Sequence, residues 1–181
     1  MIYMQQKFIL SAAIIIFSLS ACGEKATPRL SAPETSSPVS YQATLADGID
    51  FTKEGYPIFI SAVSGMSGHE PWGRWTDANA GGPIARFTFK NKLPVNFTLT
   101  VTANAFGPNE AQPIKVTAGS ISQTFIIKNV SQPSSYTIKF VNVDGNTLEF
   151  APPAPASPRS LGVSEDPRKI GIGFVSIKIR E

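Results

Sequence analysis

The chain has 181 residues, a formal net charge of +3, one histidine and one cysteine. A single cysteine excludes an intramolecular disulfide, and a small, scattered charge with no basic run argues against nucleic-acid binding. Fourteen glycines and fifteen prolines suit short strands joined by turns.

Lys7 is the only charge ahead of an apolar run from Phe8 to Leu19. That run is too short to span a hydrocarbon core, which takes about 20 residues. It has the length of the apolar region of a secretory signal. Leu19-Ser20-Ala21-Cys22 then resembles the lipobox of bacterial lipoproteins, with small residues before the cut and a cysteine after it. The resemblance implies a signal peptide over residues 1–21 and lipidation of Cys22, the palmitate-type acylation that ties such proteins to a membrane. One acyl chain binds a membrane only marginally, whereas two or more anchor it stably. In this class Asp after the cysteine favours inner-membrane retention, so Gly23 implies the periplasmic face of the outer membrane. Residues 22–41 are rich in Pro, Ser, Thr and Ala and show no apolar periodicity, so they are expected to form a flexible tether reaching roughly 25 Å.

Residues 42–181 remain as one domain. Pro57 to Val63 is apolar and β-branched. From Ile84 to Lys90, the residues Ala85, Phe87 and Phe89 share one face; from Asn96 to Ala105, Phe97, Leu99, Val101 and Ala103 do so, with Thr98, Thr100 and Thr102 opposite. Further strand patterns cover Ile114–Ala118, Ser122–Ile127, Tyr136–Val141, Thr147–Phe150 and Gly171–Ile179. Period-two alternation marks strands with one buried face, and Pro108-Asn109, Gly119-Ser120, Pro133-Ser134 and Gly145-Asn146 read as turns between them. The expectation is an all-β fold: a two-sheet antiparallel sandwich, jelly-roll-like, of about seven to nine strands.

Chemistry-bearing residues are few. With one histidine and no metal-ligand spacing, neither a metal site nor a cofactor is expected, and no catalytic residue is assigned. A Ser/His/Asp triad would have to be built on His69 alone; the carboxylate pairs Glu70/Asp77 and Glu165/Asp166 could in principle support glycoside hydrolysis, but surface pairs of this sort are common. The stretch Gly65–Asp77 holds both tryptophans, Trp72 and Trp75, around Arg74 and beside His69 and Glu70. An aromatic ring packs on the apolar face of a sugar, and charged forks hold hydroxyls, so Trp72, Arg74, Trp75 and His69 are candidate ligand contacts. Trp75 also reads as a core residue, and Trp72, between Pro71 and Gly73, as the more exposed of the two. A second segment, Asp166-Pro167-Arg168, precedes the last strand and suits an ion pair that pins a loop. In a jelly roll the first and last strands lie side by side, so Glu70, Asp166 and Arg168 form a candidate structural charge cluster. Its pairing is either Glu70 with Arg168 or Arg74 with Asp166.

Together these segments carry a family resemblance. Gly-x-Ser-x-x-Glu-x-Trp-Gly-Arg-Trp (Gly65–Trp75), Leu93-Pro94 before Phe97, Ala-Phe-Gly-Pro-Asn (Ala105–Asn109), Ser157-Pro158 and Asp-x-Arg-x-Ile-Gly (Asp166–Gly171) follow one another in order. The chain from about Phe51 to Ile179 resembles the C-terminal β-sandwich module of bacterial phosphoglycerol transferases that modify periplasmic glucans, and related carbohydrate-binding-like modules of glycosyltransferases. The resemblance implies a non-catalytic envelope glycan-binding module and adds Asn109 to the candidate ligand contacts. It does not imply transferase activity, because it covers only the module. The partners implied are a membrane through Cys22 and an envelope glycan or a glycan-modifying enzyme. The alternative is a structural or protein-interaction subunit of an envelope glycan-modifying complex that binds no sugar itself.

The lipobox reading has a direct consequence. Cys22→Ser is expected to leave the protein unlipidated, moving it from the detergent to the aqueous phase on partitioning. Retention in the detergent phase with unchanged processing would contradict it.

Overall fold

A computed structural model describes residues 40–128 and 132–181. The signal, Cys22 and nearly all of the expected tether lie outside the described residues. The described residues form one compact unit.

Twelve strands are present among the described residues: β1 (Ser40–Tyr41), β2 (Ile49–Asp50), β3 (Tyr56–Pro57), β4 (Ile60–Ser64), β5 (Arg74–Asp77), β6 (Ala85–Phe89), β7 (Phe97–Ala105), β8 (Pro113–Ala118), β9 (Ile121–Ile126), β10 (Ser134–Phe140), β11 (Thr147–Ala151) and β12 (Ile170–Arg180). The first main sheet runs β10–β7–β12, and the far edge of β12 is shared by β5 at its start and β2 towards its end. The second runs β4–β6–β11–β8–β9. All pairings within these two sheets are antiparallel. Beyond the β8–β9 hairpin, the chain from β4 onward crosses to the other sheet at each step, which gives the jelly-roll character. The expected first strand, Pro57–Val63, does not lie beside the last: its β4 part is in the second sheet beside β6, and the neighbours of β12 on that edge are the short β2 and β5.

Alternation explains the core. β7 reads buried and half-buried in strict succession, with Phe97, Leu99, Val101, Ala103 and Ala105 inward. β6 buries Ala85, Phe87 and Phe89. Aromatic rings join the sheets: Phe174 of β12 meets Phe150 of β11 edge-on at 4.9 Å and Phe87 of β6 at 6.4 Å, and Phe51 stacks on Phe174 at 5.3 Å. Offset and edge-on aromatic pairs of this kind add to the burial of their area.

The strand count exceeds the expected seven to nine because of short elements. Ser40 and Tyr41, expected at the end of the tether, form β1, which pairs in parallel with β3. The phenol of Tyr41 holds the chain there: it accepts the Asp50 N–H at 2.8 Å and donates to the Asp50 carbonyl at 3.1 Å. β5 shows no apolar alternation in Arg-Trp-Thr-Asp, yet three of its four residues, Arg74, Thr76 and Asp77, are buried. The ladder is irregular here, and the hydroxyl of Thr76 accepts the Ile172 N–H at 3.0 Å where the β5–β12 register shifts. β12 also carries a bulge against β7 at Val175, which keeps Phe174, Ile177 and Ile179 inward on either side of it.

Because Phe174 of the first sheet packs on Phe87 and Phe150 of the second and on Phe51 just after β2, with none of its surface exposed, Phe174→Ala is expected to lose about 3–5 kcal/mol of stability. A denaturant titration of the two proteins checks this; a loss below 1 kcal/mol would contradict the central place given to this ring.

Candidate functional site

The Gly65–Asp77 segment folds as a narrow hairpin standing at the start of β12. Asp77 N–H donates to Gly65 O and Ser67 N–H to Trp75 O, closing its base. At the tip Glu70 and Gly73 exchange N–H···O bonds of 3.0 Å each, leaving Pro71 and Trp72 at the two central positions of the turn. Pro71 pre-sets the backbone angle for the first of these. Gly73 is required: its φ is 153°, and a Cβ would lie 2.2 Å from the Phe174 carbonyl oxygen. Only a bare backbone passes that close to β12.

This turn brings the two indoles together. Trp72 and Trp75 meet edge-on with centroids 5.1 Å apart, and Trp75 meets Phe106 at 6.0 Å. Both indoles lean over Gly173 of β12, where a Cβ would come within 2.9 Å of each and 2.4 Å of Asn104 Oδ1. Gly173 pairs with Asn104 of β7 and with Trp75 of β5, so three strands converge on one outward-facing spot. The Asn104 oxygen beneath the rings is buried and has no hydrogen-bond partner among the described residues.

The charge cluster sits against the same turn. Glu70 accepts the Trp72 indole N–H on Oε2 at 2.8 Å and the Arg168 guanidinium on Oε1 at 2.7 Å. Arg168 also grips Asp166 through Nε and Nη2, the shortest contact being 2.6 Å. Of the two possible pairings, the structure forms Glu70 with Arg168. The bidentate contact with Asp166 fixes the orientation of the Arg168 guanidinium, whose Nη1 then holds Glu70 through one bond, and Glu70 holds the Trp72 indole. The Arg168 hydrogen bonds hold the Asp166 carboxyl below its usual range against partial desolvation, and the same partners raise Arg168. The three side chains keep 24–32% exposure. They are half in water, so removing one partner strands less charge than it would in a fully desolvated pair.

The other sequence candidates go elsewhere. Arg74 is buried at 7% exposure and points away from the indoles: Nη2 donates to the carbonyls of Lys53 and Gly55, and its guanidinium lies 4.7 Å from the Tyr56 ring centroid. This is a correction, because a β5 residue adjacent to Trp75 faces the opposite side of the strand. Asn109 is also removed from a ligand role. It is fully buried, and its amide donates to Phe106 O and Ala154 O and accepts from Ala154 N–H, tying two loops together. His69 is exposed with Nε2 2.9 Å from Thr52 O, beside the turn rather than under the rings. Trp75 is half-buried on the surface and not part of the core, because Gly173 offers it no side chain to pack beneath. Asp77 spends one carboxylate oxygen on the backbone N–H groups of Asn79 and Lys169. No motif in the sequence marks Asn104, Phe106 or Gly173 for this site; Asn104 alone carries a signal, as the continuation of the outward row of Thr98, Thr100 and Thr102.

Among the described residues no group of three or more His, Cys, Asp or Glu side chains comes together as a metal site, and no helix is long and apolar enough to cross a membrane. The fold is an all-β two-sheet sandwich with an aromatic pair on its surface. The chain belongs to the family described as Domain of unknown function (DUF7024), which matches residues 35–181. It is 40% identical over 136 residues to phosphoglycerol transferase I of Salmonella choleraesuis (strain SC-B67), a match covering 74% of this chain and 17% of that protein. The same identity and coverage hold for phosphoglycerol transferase I of Salmonella newport (strain SL254) and of Salmonella typhi. The matched segment is thus a minor part of those relatives. No solved structure matches the chain.

The lowered carboxyl of Asp166 gives a pH signature. Its contribution to stability is present above an ordinary aspartate pKa of about 4 and is lost as pH falls through the lower folded value. Denaturant midpoints measured between neutral and strongly acid pH should therefore fall less steeply for Asp166→Asn than for the unaltered protein. Arg168→Ala should lose about 1–3 kcal/mol at neutral pH, and an unchanged midpoint would show that the cluster is ornamental.

Proposed function

We propose that this chain is a non-catalytic glycan-binding module of the cell envelope, held at a membrane through lipidated Cys22. The observation that carries the reading is the indole pair over Gly173. Two half-exposed rings sit on bare backbone, one of them fixed by a hydrogen-bonded carboxylate. Rings held rigidly at a surface lose little conformational freedom on meeting a sugar, which is what preorganised recognition needs. The surrounding outward positions of the first sheet, Thr98, Thr100, Thr102, Ser135 and Thr137, carry short hydroxyl side chains and leave room for a flat ligand.

Membership in a module family whose matched relatives are named for phosphoglycerol transfer supports an envelope-glycan ligand. The match to 17% of those proteins supports a role separate from their transfer chemistry. The outer membrane is the proposed site, on the motif Leu19–Cys22 followed by Gly23.

In this reading the rings contact the sugar and Glu70 acts as a positioning residue. Trp72→Ala and Trp75→Ala should each weaken binding of a glucan oligosaccharide at least tenfold by calorimetry, with the denaturant midpoint nearly unchanged for Trp72→Ala. Glu70→Gln should weaken binding less, since an amide oxygen can still accept the indole N–H. If both tryptophan variants bind as the unaltered protein does, the indole pair is not the contact surface.

A further inference from the structure

The outer face of the first sheet does not end at the indoles. Its register places a series of outward rows below them. Ser135, Thr102 and Ser176 share one row, Thr137, Thr100 and Lys178 the next, and Lys139, Thr98 and Arg180 the last. From Asn104 to Thr100 is four residues and to Thr98 six, so at about 3.3 Å per residue the last two rows lie roughly 13 and 20 Å from the rings. The upper rows are hydroxyls, and the lower ones carry three cations.

None of Lys139, Lys178 and Arg180 has a salt-bridge partner among the described residues, whereas Arg86, Lys92, Arg159 and Arg168 all do. Lys139 and Arg180 are exposed and flank Thr98 from opposite sides. Lys178 is half-exposed. Its acidic neighbour across the sheet edge, Asp47, spends one carboxylate oxygen on the N–H and hydroxyl of Thr44. Beside this face a cleft of about 340 Å³ opens between β12 and the β1–β2 region, lined in part by Ser176, Lys178, Lys53 and Asp50. An extended ligand anchored at the indoles and lying along β7 would therefore reach three cations that no carboxylate of the described residues holds in a salt bridge.

We infer that the binding track runs from Trp72 and Trp75 along the outer face of the first sheet to Lys139, Lys178 and Arg180, and that its ligand is an anionic glycan carrying phosphoester or carboxylate groups. The inference rests on the glycan-binding reading above and deepens it by naming the substrate class. The indoles supply affinity for the sugar rings irrespective of charge. The cations discriminate between substituted and unsubstituted chains, and they steer an anionic ligand on approach.

The test compares three oligosaccharides on the purified protein by calorimetry: an unsubstituted glucan, the same glucan bearing phosphoglycerol esters, and a uronic-acid oligosaccharide. A charged ligand should bind at least tenfold more tightly than the neutral one, and that margin should shrink as salt rises from about 0.05 to 0.5 M. Preference for the ester or the uronate identifies which anion the track takes. The triple variant Lys139→Gln/Lys178→Gln/Arg180→Gln should lose the margin while keeping its affinity for the neutral glucan. All three positions have partly or fully exposed side chains and no salt bridge, and an unchanged denaturant midpoint verifies the fold. Equal affinity for neutral and charged glucans, or a triple variant that keeps the margin, would overturn the inference and leave the glycan-binding reading standing. Failure of all three oligosaccharides to bind would overturn that reading and the inference with it.

Discussion

Strand β12 must serve two faces and two edges at once. One edge pairs with β7 along nearly its whole length, and the other divides between β5 and β2. Inward, Phe174 closes the ring cluster that joins the two sheets. One residue earlier and outward, Gly173 supplies the bare surface on which both indoles rest. Gly73 adds the complementary condition, since its passage over the Phe174 carbonyl lets the Trp72 turn approach β12 at all. The core and the surface site are thus set by adjacent residues of one strand, and a side chain at either glycine would push the site off the sheet.

The chain Trp72–Glu70–Arg168–Asp166 has a role different from that of the core. Half-exposed ion pairs contribute little net stability, because solvent screens them and two side chains must be ordered. Their geometric effect is larger. Arg168 is anchored two residues before β12 begins, so the orientation of the indole is referred through the Glu70 carboxylate to the same strand that carries Gly173, with Asp166 bracing Arg168. A rigid ring over a fixed strand is a better contact surface than a mobile one, and this is the physical sense in which an apparent charge cluster and an aromatic platform form one unit.

Much of the sandwich is legible in the sequence because its long strands have one wet and one dry face. The period-two pattern of β6 and β7 corresponds residue by residue to their burial. β5 is illegible for the opposite reason: its buried positions are Arg74, Thr76 and Asp77, held by polar contacts rather than apolar packing, with Arg74 Nη2 on loop carbonyls, the Thr76 hydroxyl on the Ile172 N–H and the Asp77 carboxylate on backbone N–H groups. The site is partly legible. Two tryptophans three apart across a Gly-Arg pair draw attention to the right turn, and the acid-x-Arg segment to the right clamp. Which way Arg74 and Asn109 point depends on strand facing and on loops closing from far along the chain, and spacing alone carries neither. Asn104 and Gly173 become part of the site only through the pairing of β7 with β12.

The central claim is that the indole pair is the surface on which a glycan lies. The protein has two tryptophans, and both are in this site, so their indole N–H resonances report on it without interference. Two-dimensional NMR of the protein titrated with a glucan oligosaccharide should move both indole cross-peaks in a saturable way, with backbone shifts following at Asn104 and Gly173 and none at the buried Phe87 and Phe150. Saturable binding that leaves both indole peaks in place, or shifts confined to a face that excludes β12, would contradict the account.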